Sequence, residues 1–202
     1  MRARPTILSI CLLLGAAVLV AQPGAASLTA ADADRFAEKY NRLLQGVGTA
    51  GKARAPVAIT VTEQEVNAFL RLRGQPLLPA GVIDPYVSAV GEGRLQGWAT
   101  VDLDAVRQSK ERGLLDPMRM LRGRVPVTAV GVLHAQGGSA RFDLESASVS
   151  GIPIPKSMLQ ELVTFYTRGD TYPQGVNLDA PVPLPAGIRE ITVHSGRAVI
   201  VQ

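Results

Sequence analysis

The chain has one cysteine, Cys11, and two histidines, His134 and His194, among 202 residues. A lone thiol excludes a disulfide framework and a CxxC redox or zinc site, and two imidazoles cannot build a histidine-rich metal centre. Aromatic residues make up only 4% of the chain. That is too few for the interfacial girdles of an outer-membrane barrel, and helical segments interrupt the strands. There is no GxSxG elbow, no glycine-rich phosphate loop and no HExxH pair. Nor is any basic patch interleaved with stacking aromatics, which argues against nucleic acid as a partner. The expectation is a protein without catalysis, cofactor or metal.

The first segment that is present reads as an address. Arg2 and Arg4 precede an uncharged apolar run, Ile7 to Ala21, and the small residues Gly24, Ala25 and Ala26 follow. That order is the one found in secretory signal peptides. The run falls short of the roughly 20 residues that span a bilayer, so cleavage after Ala26 is expected, with a retained N-terminal anchor as the alternative. Residues 27–202 would then form one exported domain, periplasmic or otherwise extracytoplasmic, free of cysteine and held by its apolar core.

Along that domain, periodicity alternates between helical and extended. Phe36, Tyr40, Leu43, Leu44 and Val47 recur at three- and four-residue spacing after Thr29, which marks an amphipathic helix ending at Gly46 and Gly48. Val57, Ile59 and Val61 alternate as a half-buried strand. Thr62 to Glu65 matches a capping box and opens a helix with Val66, Phe69 and Leu70 on one face. Hairpins are expected at Tyr86–Leu103 around Gly91 to Gly93, at Val125–Val149 around Gly137 and Gly138, and at Ile188–Val201 around Ser195 and Gly196. Leu95, Gly97, Ala99, Val101 and Leu103 share one face of their strand, and its small residues leave room for something bulky. Met158, Leu159, Leu162, Val163 and Tyr166 form the apolar stripe of a later helix behind Pro155. The prolines of 170–187 favour extended, unpaired backbone.

Residues 105–124 interrupt the strands and concentrate positive charge. Arg107, Lys110, Arg112, Arg119, Arg122 and Arg124 face only Glu111 and Asp116 there, beside Leu114, Leu115, Met118, Met120 and Leu121. Such an insertion is either a solvated connection or a patch attracted to an anionic membrane surface. Asp102 with Asp104, and Glu63 with Glu65, are carboxylate pairs of the sort used in acid–base chemistry. Their places at a strand end and a helix start give each a structural reason to be there. Trp98, on the polar side of its strand, either caps a second apolar surface or marks a partner contact.

The fold class that follows is α+β, with curved antiparallel sheets of about seven strands built from hairpins and packed against two or three amphipathic helices. Three stretches, 61–70, 151–163 and 184–191, resemble uncharacterised exported bacterial envelope proteins. More distantly they resemble AsmA-type and tubular lipid-binding (TULIP-like) domains. The resemblance implies a lipid or other hydrophobic ligand held in a groove between sheet and helices. Val66, Phe69, Leu70, Met158, Leu159, Leu162, Val163 and Tyr166 would wall the groove, with Arg119, Arg122 and Arg124 near an anionic head group. The alternative is an assembly factor that binds another envelope protein through a strand edge and the 170–187 segment.

Overall fold

The computed structural model describes residues 27–45, 56–108, 122–167 and 173–202. The leader, the helix end at Gly46 and Gly48, and the part of the basic insertion that holds Arg119 lie outside them. The chain is α+β with two antiparallel sheets. Its elements are α1 (Ala30–Gln45), β1 (Ala58–Thr62), α2 (Glu63–Leu72), β2 (Val82–Gly91), β3 (Arg94–Asp102), α3 (Leu103–Gln108), β4 (Arg124–Gln136), β5 (Ser139–Val149), β6 (Ile152–Pro153), α4 (Lys156–Thr167), β7 (Val182–Pro183), β8 (Glu190–His194) and β9 (Arg197–Val201). Among the described residues no helix is long and apolar enough to cross a membrane.

The smaller sheet has the order β1-β9-β8 and the larger β2-β3-β4-β5-β6, with β7 pairing β5. All three expected hairpins form. Ile191 faces Ile200 and Val193 faces Ala198 across the last of them. Glu92 and Gly93 both take positive φ, as do Gly137 and Gly138, which is the backbone a two-residue turn needs to match strand twist. Two expectations change. Leu103 leaves β3 to open α3 and is buried, and Val182–Pro183 is paired with Ala140 and Ser139 rather than free.

The main core lies between the helix pair α1–α2 and the smaller sheet. Leu43, Ile59, Val61 and Ile188 are buried there, with Phe36, Val66, Leu184, Ile191, Ala198 and Ile200 packed around them. Phe36 and Phe69 rings meet at 4.8 Å, and Tyr40 lies 6.3 Å from Phe69. Thr62 caps α2 by accepting from Glu65 N–H at 3.2 Å, and the Glu65 carboxylate accepts from Thr62 N–H at 2.9 Å. Two of the helix's orphan donors are thereby satisfied in the capping-box manner.

Further along α2, each polar side chain fastens the helix to a neighbour. Asn67 is almost wholly buried, donating to the Val87 carbonyl at 2.7 Å and accepting from Val87 N–H at 2.8 Å. Glu63 accepts from Ala89 N–H at 2.9 Å, and the Ala89 carbonyl accepts from Gly196 N–H at 2.8 Å. Residues 87 and 89 therefore present their peptide groups away from β3, and α2 with the β8–β9 turn takes the place of a further strand. An edge that would otherwise template aggregation is closed.

Candidate functional site

The faces of the larger sheet differ sharply in chemistry. Cross-strand register places Val87 and Ala89 of β2, Leu95, Gly97, Ala99 and Val101 of β3, and Val125, Val127, Ala129 and Gly131 of β4 on one side. On β5, Phe142 and Leu144 join them, then Ala147 and Val149. That change of parity is made possible by a bulge: Val130 pairs Ser146 while the next residue, Gly131, pairs Leu144, so Glu145 is the extra residue. The opposite face carries Ser88, Gln96, Thr100, Thr128 and Ser148, the last two sharing a hydrogen bond of 2.7 Å.

Within the apolar face one row is small. Gly97 faces Ala129, and Ala129 faces Ala147, so three adjacent strands present almost no side chain at one level. At ~4.8 Å per strand, the row from Val87 to Ala147 is about 14 Å long. Leu95 and Leu144 stand on one side of it, Val127 and Val149 on the other. Among the described residues, a Cβ placed on Gly97 would meet only the Tyr86 carbonyl oxygen, at 4.0 Å. Two levels of packing can thus be told apart, because a Cβ on Gly131 would meet the Phe142 ring at 2.6 Å. The space over Gly131 is filled, whereas among the described residues nothing fills the space over Gly97. Gly97 and Ala129 are half-buried, whereas Ala147, at the β5 end of the row, is buried.

Helices flank this trough. The helix α2 packs on β2 at one margin and α4 on β5 at the other, while the short α3 packs against β3 and β4. Val66 and Phe69 contribute to the core beneath α1, and Leu70 is half-buried close to Gly74. Met158 is 50% exposed; Leu159 and Val163 are half-buried. The side chains of Leu162 and Tyr166 lie outside the described residues. The two sets of expected wall residues thus sit on helices attached to different strands, with β3 and β4 between them. The floor of the trough belongs to residues that the sequence reading noted only on β3. Ala129 and Ala147 carry no signal alone, and their significance appears once register aligns them with Gly97.

Charged candidates resolve into structural roles. Asp102 accepts from Ala105 and Asp104 N–H, each at 3.0 Å, and so caps α3. Its carboxyl is held below the usual range, first by the Ala105 bond and then by Arg124 at 3.2 Å. Asp104 accepts from Gly123 N–H at 3.0 Å. Arg124 is thus engaged at the strand end, and Arg122 is exposed. Glu63 accepts from the Tyr86 hydroxyl at 2.7 Å, which with burial raises the Tyr86 pKa to about 12. Tyr86 in turn packs on Trp98 at a centroid distance of 5.4 Å, which accounts for an indole on the polar face. Among the described residues no group of acidic, histidine or cysteine side chains is arranged to hold a metal ion.

No family model and no curated protein matches the chain. Among solved structures, a crystal structure of lipopolysaccharide binding protein is similar at 14% identity, with a TM-score of 0.22. The match covers 72% of this chain and 40% of that one.

Proposed function

We propose that this is a non-enzymatic cell-envelope domain that holds a lipid acyl chain, or another flexible hydrophobic group, in the trough across the apolar face of the larger sheet. The observation that carries the reading is the space over Gly97 that no described residue fills, in a row where Gly97, Ala129 and Ala147 stand side by side. Such a row admits a narrow, featureless chain, and the neighbouring Leu95, Leu144, Val127 and Val149 supply apolar walls. Covering the row removes apolar surface from water at about 25 cal/mol per Å². The absence of catalysis is supported by the structural engagement of Glu63, Glu65, Asp102 and Asp104, each of which has a bonding partner within the fold.

Export to the envelope is part of the same proposal and rests on the leader-like first 26 residues. The test is lipid extraction and mass spectrometry of protein purified without detergent, compared with the Gly97→Leu variant. Wild type is expected to retain lipid and the variant to lose it while remaining folded. Protein free of lipid, and unable to take up a fluorescent fatty acid, overturns the reading.

A further inference from the structure

A second concavity lies where the two sheets meet, apart from the trough. It encloses about 500 Å³ between β4 and β8, with the β2–β3 turn at one end. A volume of that size suits a small ligand or a few residues of peptide. Its polar lining includes His134, Arg141, Glu92, Glu190 and Thr192.

Backbone geometry gives the cleft two exposed strand edges. A two-residue turn at Ser195–Gly196 makes Thr192 and His194 the residues that bond across to β9, so Ile191 and Val193 turn their peptide groups outward. The Val193 carbonyl indeed accepts from Gly93 N–H at 3.2 Å. On β4 the same alternation turns Leu133 and Ala135 outward, and Leu133 N–H donates to the Gly93 carbonyl at 2.8 Å. One glycine peptide therefore bridges β4 and β8, as a residue of an intervening strand would. At the far end Gly138 N–H donates to the Arg189 carbonyl at 2.9 Å. Between these ties, Ile191 and Ala135 face the cleft, and their outward peptide groups have no backbone partner among the described residues.

The charge balance chooses between ligands. Arg141 is already bound through two nitrogens to Asp143, at 2.9 and 3.0 Å, and His134 lies 3.1 Å from the same carboxylate. Glu190 is half-buried and among the described residues receives only the Thr192 hydroxyl, at 2.9 Å, while Glu92 stands exposed on the turn. Neither glutamate has a cation within ion-pair distance among the described residues, which leaves the cleft's described lining with uncompensated negative charge.

We propose that this cleft binds a short extended peptide bearing a lysine or arginine side chain. Its backbone adds to the edges at Ile191 and Ala135, and its cation meets Glu190 with support from Glu92. The inference is independent of the lipid reading, since His134 and Arg141 lie on the polar face of the sheet. The test uses the full chain and the blocked tripeptides Ala-Lys-Ala and Ala-Gln-Ala, with binding followed by amide chemical shifts in NMR. The lysine peptide is expected to shift Ile191, Thr192 and Ala135, to bind at least tenfold more tightly than the glutamine peptide, and to weaken with salt. Glu190→Gln should lower its affinity at least tenfold, and Glu92→Gln, on an exposed turn that tolerates it, by a smaller factor. Equal binding of the two peptides, unchanged affinity in both variants, or shifts confined to other parts of the chain overturn the proposal.

Discussion

Two glycines on neighbouring strands of one sheet face provide a direct measure of whether the trough is empty. Replacing Gly97 with Ala adds a Cβ whose closest new neighbour is 4.0 Å away, an ordinary contact. The gain is the backbone entropy that glycine loses on folding, so the variant should be more stable by about 0.5–1 kcal/mol. Replacing Gly131 with Ala places the same methyl 2.5 Å from the Asp143 carbonyl oxygen and 2.6 Å from the Phe142 ring. Backbone and ring must both shift, and overpacking of this kind costs about 1–3 kcal/mol. Urea unfolding of the two variants beside wild type, with equal slopes, reads the difference as a shift in midpoint. The expected order is Gly97→Ala above wild type and Gly131→Ala below it. A loss of more than ~1 kcal/mol in Gly97→Ala, on the same scale as overpacking, would mean that the row is covered, and the reasoning that opens a site there would fail.

Other consequences follow from the bonds of α2. Asn67→Ala leaves both Val87 peptide groups without their partner at an enclosed edge, and an orphaned buried group costs about 1–3 kcal/mol. A total loss of about 2–6 kcal/mol is therefore expected in urea unfolding, and a change below ~0.5 kcal/mol, ordinary for surface sites, would show that water replaces the amide freely. Asp32 and Glu65 both titrate below the ordinary carboxylate range. Asp32 is held down by the Thr29 hydroxyl, and Glu65 by Lys39 and the Thr62 bonds, which outweigh its burial. Their contribution is complete above the unfolded carboxylate values and is lost as pH falls through the lower folded ones. Urea midpoints should drop across that acid window, and less steeply in Glu65→Gln; identical slopes would refute the assignment. Tyr86, raised to about 12, binds its proton more tightly folded than unfolded. Stability should decline as pH rises from the ordinary tyrosine value toward 12, and Glu63→Gln should bring the phenolate absorbance transition down.

Local chemistry made the hairpins and the α2 cap legible in the sequence, because each is decided within a few residues. Glycines at the turns specify the hairpins, Thr62 and Glu65 specify the cap, and the alternation of Ile191, Val193, Ala198 and Ile200 specifies both pairing and face. The trough was half legible. Gly97 and Ala99 showed that β3 was small on one side, but Ala129 and Ala147 become its neighbours only through register. On β5 that register depends on one extra residue, Glu145, and strict alternation from Phe142 would have carried Ser146 and Ser148 onto the apolar face. The wall residues of α2 and α4 were legible as apolar stripes, whereas the partners those stripes would meet depended on the order of strands in the sheet.

The carboxylates of the 62–67 segment show why acid pairs need a geometric test before a chemical one. Glu63 and Glu65 lie two apart on one helix, and their side chains diverge by about 200° around its axis. One reaches outward to Tyr86 and Ala89 across the β2 edge. The other turns back to Thr62 and onward to Lys39 of α1, at 2.7 Å. A single turn of helix thus joins α1 and the larger sheet to the end of β1, and each acid is consumed in the joining. With these groups committed to holding the α1–α2 unit against the sheet edge, the β2 edge is engaged at Val87 and Ala89 beside the small-residue row that starts at Gly97. If the proposed lipid site is right, loss of Asn67 weakens lipid retention together with stability, while Gly97→Leu abolishes retention alone.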